Sequence, residues 1–309
     1  MTAATSASLT ILIVTWNSWG DLKRCLESIR NAGAGELEVL VFDNGSSDGT
    51  VEKLRAQFPE VRLEQSQVNL GLPPAVNRGL AAARGDYVML LDVDTEVKPG
   101  TATRLLQFME ERPDVALAAP RIYTPEGEVE RSARRLPSPM NGLFGRQSIL
   151  SRLFPNNRYT RRYLVADHLG STEPYRVQQV SAACMFMRRT LVDDVGPWDE
   201  GYRCYWVDSD WCAQLKRAGK IVYCVPDVGI VHYENNRAGK KKSVWRICHF
   251  HIGAYRLYRK HYTRGVLDPR ALFAAVALTV RAGMMLALNE LKASAPAAAP
   301  AARQGERAA

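Results

Sequence analysis

The chain has 309 residues, 46% of them hydrophobic, which suffices for a large core as one domain with or without an appendage. Its formal charge of +9 sits in one segment: nine Lys or Arg and no acid lie between Asn235 and Leu267, so the rest is near neutral and a uniformly basic protein is excluded. Six cysteines without a C-x-x-C pair argue for buried thiols in a reducing, cytoplasmic setting rather than a disulfide framework, and "MTAATSASLT" has no secretory pattern.

In chain order, "LTILIV" (9–14) reads as a buried strand. Leu22, Cys25, Leu26 and Ile29 then recur at helical spacing. "ELEVLVFD" (36–43) is a second strand, followed by a capped helix start in "SSDGTVEKLRAQF". "VRLEQ" (61–65) is a short strand, and "PPAVNRGLAAARG" a helix opened by Pro73 and Pro74 and closed by Gly85. "YVMLLD" is the fourth strand and "PGTATRLLQFMEERP" the next helix. This alternation predicts an α/β fold with a mostly parallel, Rossmann-like central sheet flanked by helices. Ligands of such sheets bind beyond the carboxyl ends of the strands, where Thr15 to Asn17, Asp43 and Asp92 fall.

The second half is less regular. Strands are expected at 115–123, 177–189 and 220–234, and a helix at 208–219. The basic, Pro-rich stretch 131–163 reads as loops or a flap. Residues 271–289 approach membrane-span length but carry Arg281 near the middle, which favours a helix lying in a membrane interface or packed on the domain. The Ala/Pro-rich tail 292–309 reads as disordered.

The chemistry is concentrated in "DVD". Asp92 and Asp94 leave a buried strand two residues apart and can present oxygens to one divalent cation, although a solvated loop is the plainer reading of an isolated pair. Haloacid-dehalogenase-like phosphatases also place carboxylates at a strand end. Their motif wants Thr one residue later than Thr95 and lies near the first strand, whereas about ninety residues precede this one.

The succession "LIVTWNSWGDLKRCLESI", "VLVFDNGSSDGT", "NLGLPPAVNRGL", "YVMLLDVDTEVKPG", "APRIYTPEGEVERSARRLPSP", "VSAACMFMRRTLVDDVGPWDEGY", "WVDSDWCAQLKRAG" and "IVHYE" resembles the inverting family 2 glycosyltransferases, in the style of the rhamnosyltransferase-like branch. The resemblance covers about 9–234 and implies a GT-A fold, with a nucleotide-binding half at about 8–98 and an acceptor and catalytic half at about 99–234. It implies transfer from a nucleoside-diphosphate sugar, dTDP-L-rhamnose by that branch, to a glycan or lipid-linked acceptor of bacterial cell-surface polysaccharide, with Mn2+ or Mg2+. Thr15, Asn17, Asp43, Asn69, Gly71 and Asp92 would meet the donor, Asp43 by reading the base. Asp94 and His232, with Asp92, would hold the metal; a lone His at a strand end is otherwise structural. Asp208 would be the catalytic base, or else cap its helix; Val207 stands where the family usually has Glu. Trp206 and Asp210 are candidates for the acceptor, Asp210 being equally a first-turn acid.

The segment 235–291 forms a basic and apolar helical extension. Its Lys and Arg interleave with Trp245, Phe250, Tyr255, Tyr258 and Tyr262, a pattern that suits nucleic acid, an anionic membrane surface at the inner face of the plasma membrane, or a solvated helix. The following apolar stretch favours the membrane, and nucleic acid is not expected. A non-catalytic nucleotide-sugar or glycan-binding module is the remaining alternative.

Overall fold

The computed structural model describes residues 8–33, 37–138, 158–233, 243–265 and 267–294. The first half is β1 (Leu9–Thr15), α1 (Trp19–Asn31), β2 (Glu38–Asn44), α2 (Thr50–Gln57), β3 (Arg62–Ser66), α3 (Leu72–Ala82) and β4 (Tyr87–Asp92). β1 and β4 are buried on both faces, as near-continuous apolar runs require in a parallel sheet covered on both sides. Alternate side chains serve opposite cores. Ile11, Ile13, Met89 and Leu91 meet α1 and its apolar stripe, while Leu12, Leu40 and Leu90 meet α3 and the buried Trp198 and Trp211. α1 buries Leu22, Cys25, Leu26 and Ile29, the stripe its spacing predicts.

The second half comprises β5 (Thr95–Val97), α4 (Thr101–Glu111), β6 (Val115–Tyr123), α5 (Arg158–Tyr163), β7 (Tyr175–Val177), β8 (Cys184–Arg188), α6 (Leu191–Val195), α7 (Val207–Arg217) and β9 (Ile221–His232). Two helices follow, α8 (Val244–Tyr262) and α9 (Pro269–Ser294). The nine-stranded sheet runs β3-β2-β1-β4-β8-β6-β9-β5, with β7 on β9. Parallel pairing is confined to β3-β2-β1-β4 and β6-β9, and the later strands join antiparallel.

Two expectations change. The strand expected at 177–189 is two strands, because 178–183 leaves the sheet and the main chain of Gln179 pairs with Arg134. β5 was not foreseen; a three-residue strand is too short for periodicity to register. Of the stretch read as a flap, 139–157 lies outside the described residues, as do 235–242 in the basic segment and 295–309 in the tail. The thiols of Cys25, Cys184, Cys212 and Cys224 are free and buried.

The sheet order reverses at β1, which has β2 on one side and β4 on the other. Registers pair Thr15 with Asp43 and Val14 with Asp92, so three strand ends open into one crevice.

Candidate active site

The end of the crevice nearest β2 holds two buried oxygens with no hydrogen-bond partner among the described residues: Thr15 Oγ1 and Asp43 Oδ1. An unpaired buried acceptor costs roughly 1–3 kcal/mol, and a ligand donor would relieve that cost. The other Asp43 oxygen accepts from Ser46 N at 3.0 Å and fixes the carboxylate. Gly45 permits the turn: it has φ +81°, and a Cβ there would lie 2.6 Å from the Val68 carbonyl carbon.

Asn17, also at positive φ (48°), ties two loops together: its N–H donates to Ser46 Oγ and its Oδ1 accepts from Ser47 N. Asn69 and Gly71 are organised by Asn44, which sequence reasoning missed. Asn44 Nδ2 donates to Asn69 Oδ1 and to Gly71 O, and Asn44 Oδ1 accepts from Leu70 N. Asn17, Asn69 and Asn44 therefore shape the crevice wall. Asn77 faces away from it, holding Trp198 through both its amide atoms.

At the end of β4, ligand atoms of Asp92, Asp94 and His232 all lie within 4.8 Å of one another. β5 causes this meeting. It runs antiparallel to β9 with Thr95 opposite His232, and Tyr233 N donates to Asp94 O at 2.8 Å. His232 Nε2 then lies 3.4 Å from Asp94 Oδ1. His232 Nδ1 faces Glu130 Oε1 at 3.5 Å, an ionic contact without hydrogen-bond alignment. Burial opposes charge on this ring, but the carboxylates of Asp94, Glu130 and Asp92 push its pKa up to about 10. Burial likewise raises the Asp94 carboxyl, and the His232 ring more than offsets that, leaving it below the usual range. Two carboxylates and an imidazole offer the donor set of a divalent-cation site. Glu130 was not singled out in the sequence; the β6 hairpin brings it in, with Glu130 N donating to Ile122 O.

Asp208 occupies the first turn of α7, whose N-cap is Trp206. Asp208 is thus past the cap position. Its Oδ1 accepts from Ser209 N at 2.7 Å, and among the described residues Oδ2 carries no hydrogen bond. Gln179 Nε2 donates to Ser209 Oγ at 2.6 Å and braces this turn from behind.

Trp206 has φ +73°, unusual for a bulky residue, and its indole N–H donates to Phe250 O on α8 at 2.9 Å. Asp210 points the other way. It is fully buried, and its oxygens accept from Tyr202, His261, Lys260 and Gln214. Both residues anchor α8, where Asp199 adds Arg256 and Lys260. Burial raises the Asp210 carboxyl, and His261 and Lys260 more than offset it, holding the group low. Asp210→Ala is expected to destabilise the fold by about 3 kcal/mol, since it leaves the buried His261 ring and the Tyr202 hydroxyl without their acceptor and removes one carboxylate from Lys260. Chemical denaturation checks this, and a midpoint within error of wild type would remove the anchor role.

The family model for glycosyl transferase family 2 matches residues 10–196. An N-acetylglucosaminyl-diphospho-decaprenol L-rhamnosyltransferase of Mycobacterium tuberculosis (strain ATCC 25618 / H37Rv) is 31% identical over 243 residues, 75% of this chain and 78% of that protein. A chondroitin synthase of Escherichia coli is 28% identical over 193 residues, 61% of this chain and 27% of that protein. Among solved structures, the mannosyltransferase PcManGT of Pyrobaculum calidifontis, in complex with GDP-Man and Mn2+, has a TM-score of 0.56 at 18% identity, covering 96% of this chain and 77% of that one. GalNAc-T7 with UDP, GalNAc and Mn2+ has a TM-score of 0.53 at 16% identity, covering 74% of this chain and 44% of that one. These likenesses agree with the GT-A arrangement of the sheet. The chain belongs to glycosyltransferase family 2 and is a glycosyltransferase of the rhamnosyltransferase-like kind.

Proposed function

We propose that the chain transfers a sugar, with inversion, from a nucleoside-diphosphate donor to a hydroxyl of a glycan or lipid-linked acceptor. The observation that carries this reading is the Asp92–Asp94–His232 group beside the partnerless Thr15 and Asp43 oxygens. Asp43 Oδ1, already desolvated, accepts the ring N3–H of a uracil- or thymine-type base. Thr15 lines the same subsite. Asp92, Asp94 and His232 are the residues that would hold the divalent ion, which when bound offsets negative charge on the leaving diphosphate.

Asp208 Oδ2 accepts the proton of the acceptor hydroxyl. The hydroxyl oxygen forms its bond to the anomeric carbon as the bond from carbon to the diphosphate oxygen breaks on the opposite face. The electron pair leaves with the nucleoside diphosphate. Charge at the reacting carbon resembles an oxocarbenium ion, as in glycoside hydrolysis. Likeness to the mycobacterial L-rhamnosyltransferase supports L-rhamnose as the transferred sugar and a lipid-linked saccharide as acceptor; dTDP as its carrier is what the sequence resemblance implies.

Asp43→Asn is the test of the base subsite. The amide retains an oxygen for Ser46 N while placing an N–H where the carboxylate accepted. Affinity for dTDP or UDP, measured by calorimetry, is expected to fall at least about tenfold, equivalent to roughly 1.4 kcal/mol. An unchanged dissociation constant would remove Asp43 from base reading.

A further inference from the structure

Helix α9 distributes its residues inside out. Its inward face packs on α8 and carries the polar groups: Asn289 is buried, and the Arg281 guanidinium meets His251 Nε2 at 3.0 Å. His251 is fixed for this role. Its Nδ1 bonds Ile247 O at 2.7 Å, so Nδ1 donates and Nε2 is left to accept. The outward face is Leu272, Phe273, Val276, Val280, Met284 and Leu288, each more than half exposed. No charged residue interrupts this face between Leu272 and Leu288, a run of roughly 24 Å. Soluble helices show the reverse arrangement.

We infer that the outward face of α9 seats in the lipid of an anionic membrane leaflet, with α9 lying in the plane of the surface. The inference is independent of the sugar-transfer reading, since it concerns a different face and needs no donor. Three observations select lipid as the occupant. First, the stripe has no polar register residue apart from Thr279, whereas a specific helix partner calls for some. Secondly, the sequence from Asn235 to Leu267, leading directly into α9, holds nine cations and no acid. Arg256 and Lys260 pair inward with Asp199 and Asp210, and the others include Arg237, Lys240, Lys241, Lys242 and Arg264. Anionic headgroups complement a cationic sequence of this kind leading into an apolar helix face. Thirdly, Trp245 is more than half exposed on α8, as suits an aromatic at a lipid interface.

The stretch Pro269–Glu290 is long and apolar enough to cross a membrane by length and composition. Crossing would separate α9 from α8 and turn Arg281 away from His251 into hydrocarbon, which is costly. Docking in the plane keeps that contact. It also places the lipid surface on a hairpin that holds Trp206 and Asp210, the residues flanking Asp208.

The test is flotation of the full chain with vesicles of phosphatidylcholine alone and of phosphatidylcholine mixed with phosphatidylglycerol. Binding is expected to the mixed vesicles, weakening as salt rises. Combining Phe273→Glu with Val280→Glu is expected to lower partitioning at least about tenfold, while circular dichroism and the thermal transition stay as in wild type, because both side chains are exposed. Equal partitioning of this variant would overturn the inference. So would a wild-type chain that ignores vesicles and forms a dimer abolished by the same substitutions, which would assign the face to a second copy.

Discussion

Asp208→Asn is expected to leave donor affinity unchanged within about twofold and to lower turnover by about 10²–10⁴-fold, the usual contribution of a positioned general base. The substitution is nearly isosteric. Asn Oδ1 can still accept from Ser209 N, and Gln179 still braces Ser209, so the first turn of α7 is preserved. What disappears is an acceptor for the proton of the attacking hydroxyl, at the Asp208 oxygen that carries no hydrogen bond among the described residues. If Asp208 only stabilised its helix terminus, turnover would hold and stability would drop by roughly 0.3–1 kcal/mol, through loss of the negative charge at the helix N-terminus. Single-turnover kinetics beside a thermal melt separates the two outcomes.

The second large effect is expected at the strand end. Asp94→Ala should abolish stimulation by Mn2+ or Mg2+ and lower turnover by at least about 10²-fold, while the fold persists. It persists because the bond holding β5 to β9 at this point, Tyr233 N to Asp94 O, belongs to the main chain. His232→Ala should weaken Mn2+ binding in the same direction, leaving Asp92 and Asp94 as an incomplete set. Calorimetric titration of Mn2+ reads this without any substrate. Unaltered Mn2+ affinity in both variants would remove these residues from the metal.

Much of the first half was legible from sequence, because buried parallel strands and amphipathic helices write themselves as apolar runs and helical spacing. "YVMLLD" and "LTILIV" are adjacent strands, and Asp43 and Asp92 stand at strand ends as the alternation implied. The pieces that escaped depend on contacts distant in sequence. β5 is three residues long, yet it sets His232 against Asp94. Glu130 arrives through a hairpin, and Gln179 acts on Asp208 only through Ser209. Asp210, read as an acceptor contact or a first-turn acid, lies in the first turn of α7, and burial among Tyr202, Lys260 and His261 makes it a link to α8. Arg281 interrupts the apolar stretch in sequence; in space it turns inward, so the outer stripe is continuous. Hydropathy along the chain averages over faces and cannot register that difference.

The most direct measurement is release of nucleoside diphosphate from a panel of nucleotide sugars by the purified full chain, with and without Mn2+, in the presence of a lipid-linked N-acetylglucosaminyl acceptor. The panel should pair dTDP-L-rhamnose with galactofuranosyl, mannosyl and N-acetylglucosaminyl donors. The expected result is metal-dependent release from dTDP-L-rhamnose, lost in Asp208→Asn although the donor still binds. Failure of every nucleotide sugar to bind the folded protein in Mn2+, or release that persists undiminished in Asp208→Asn, would contradict the proposed chemistry.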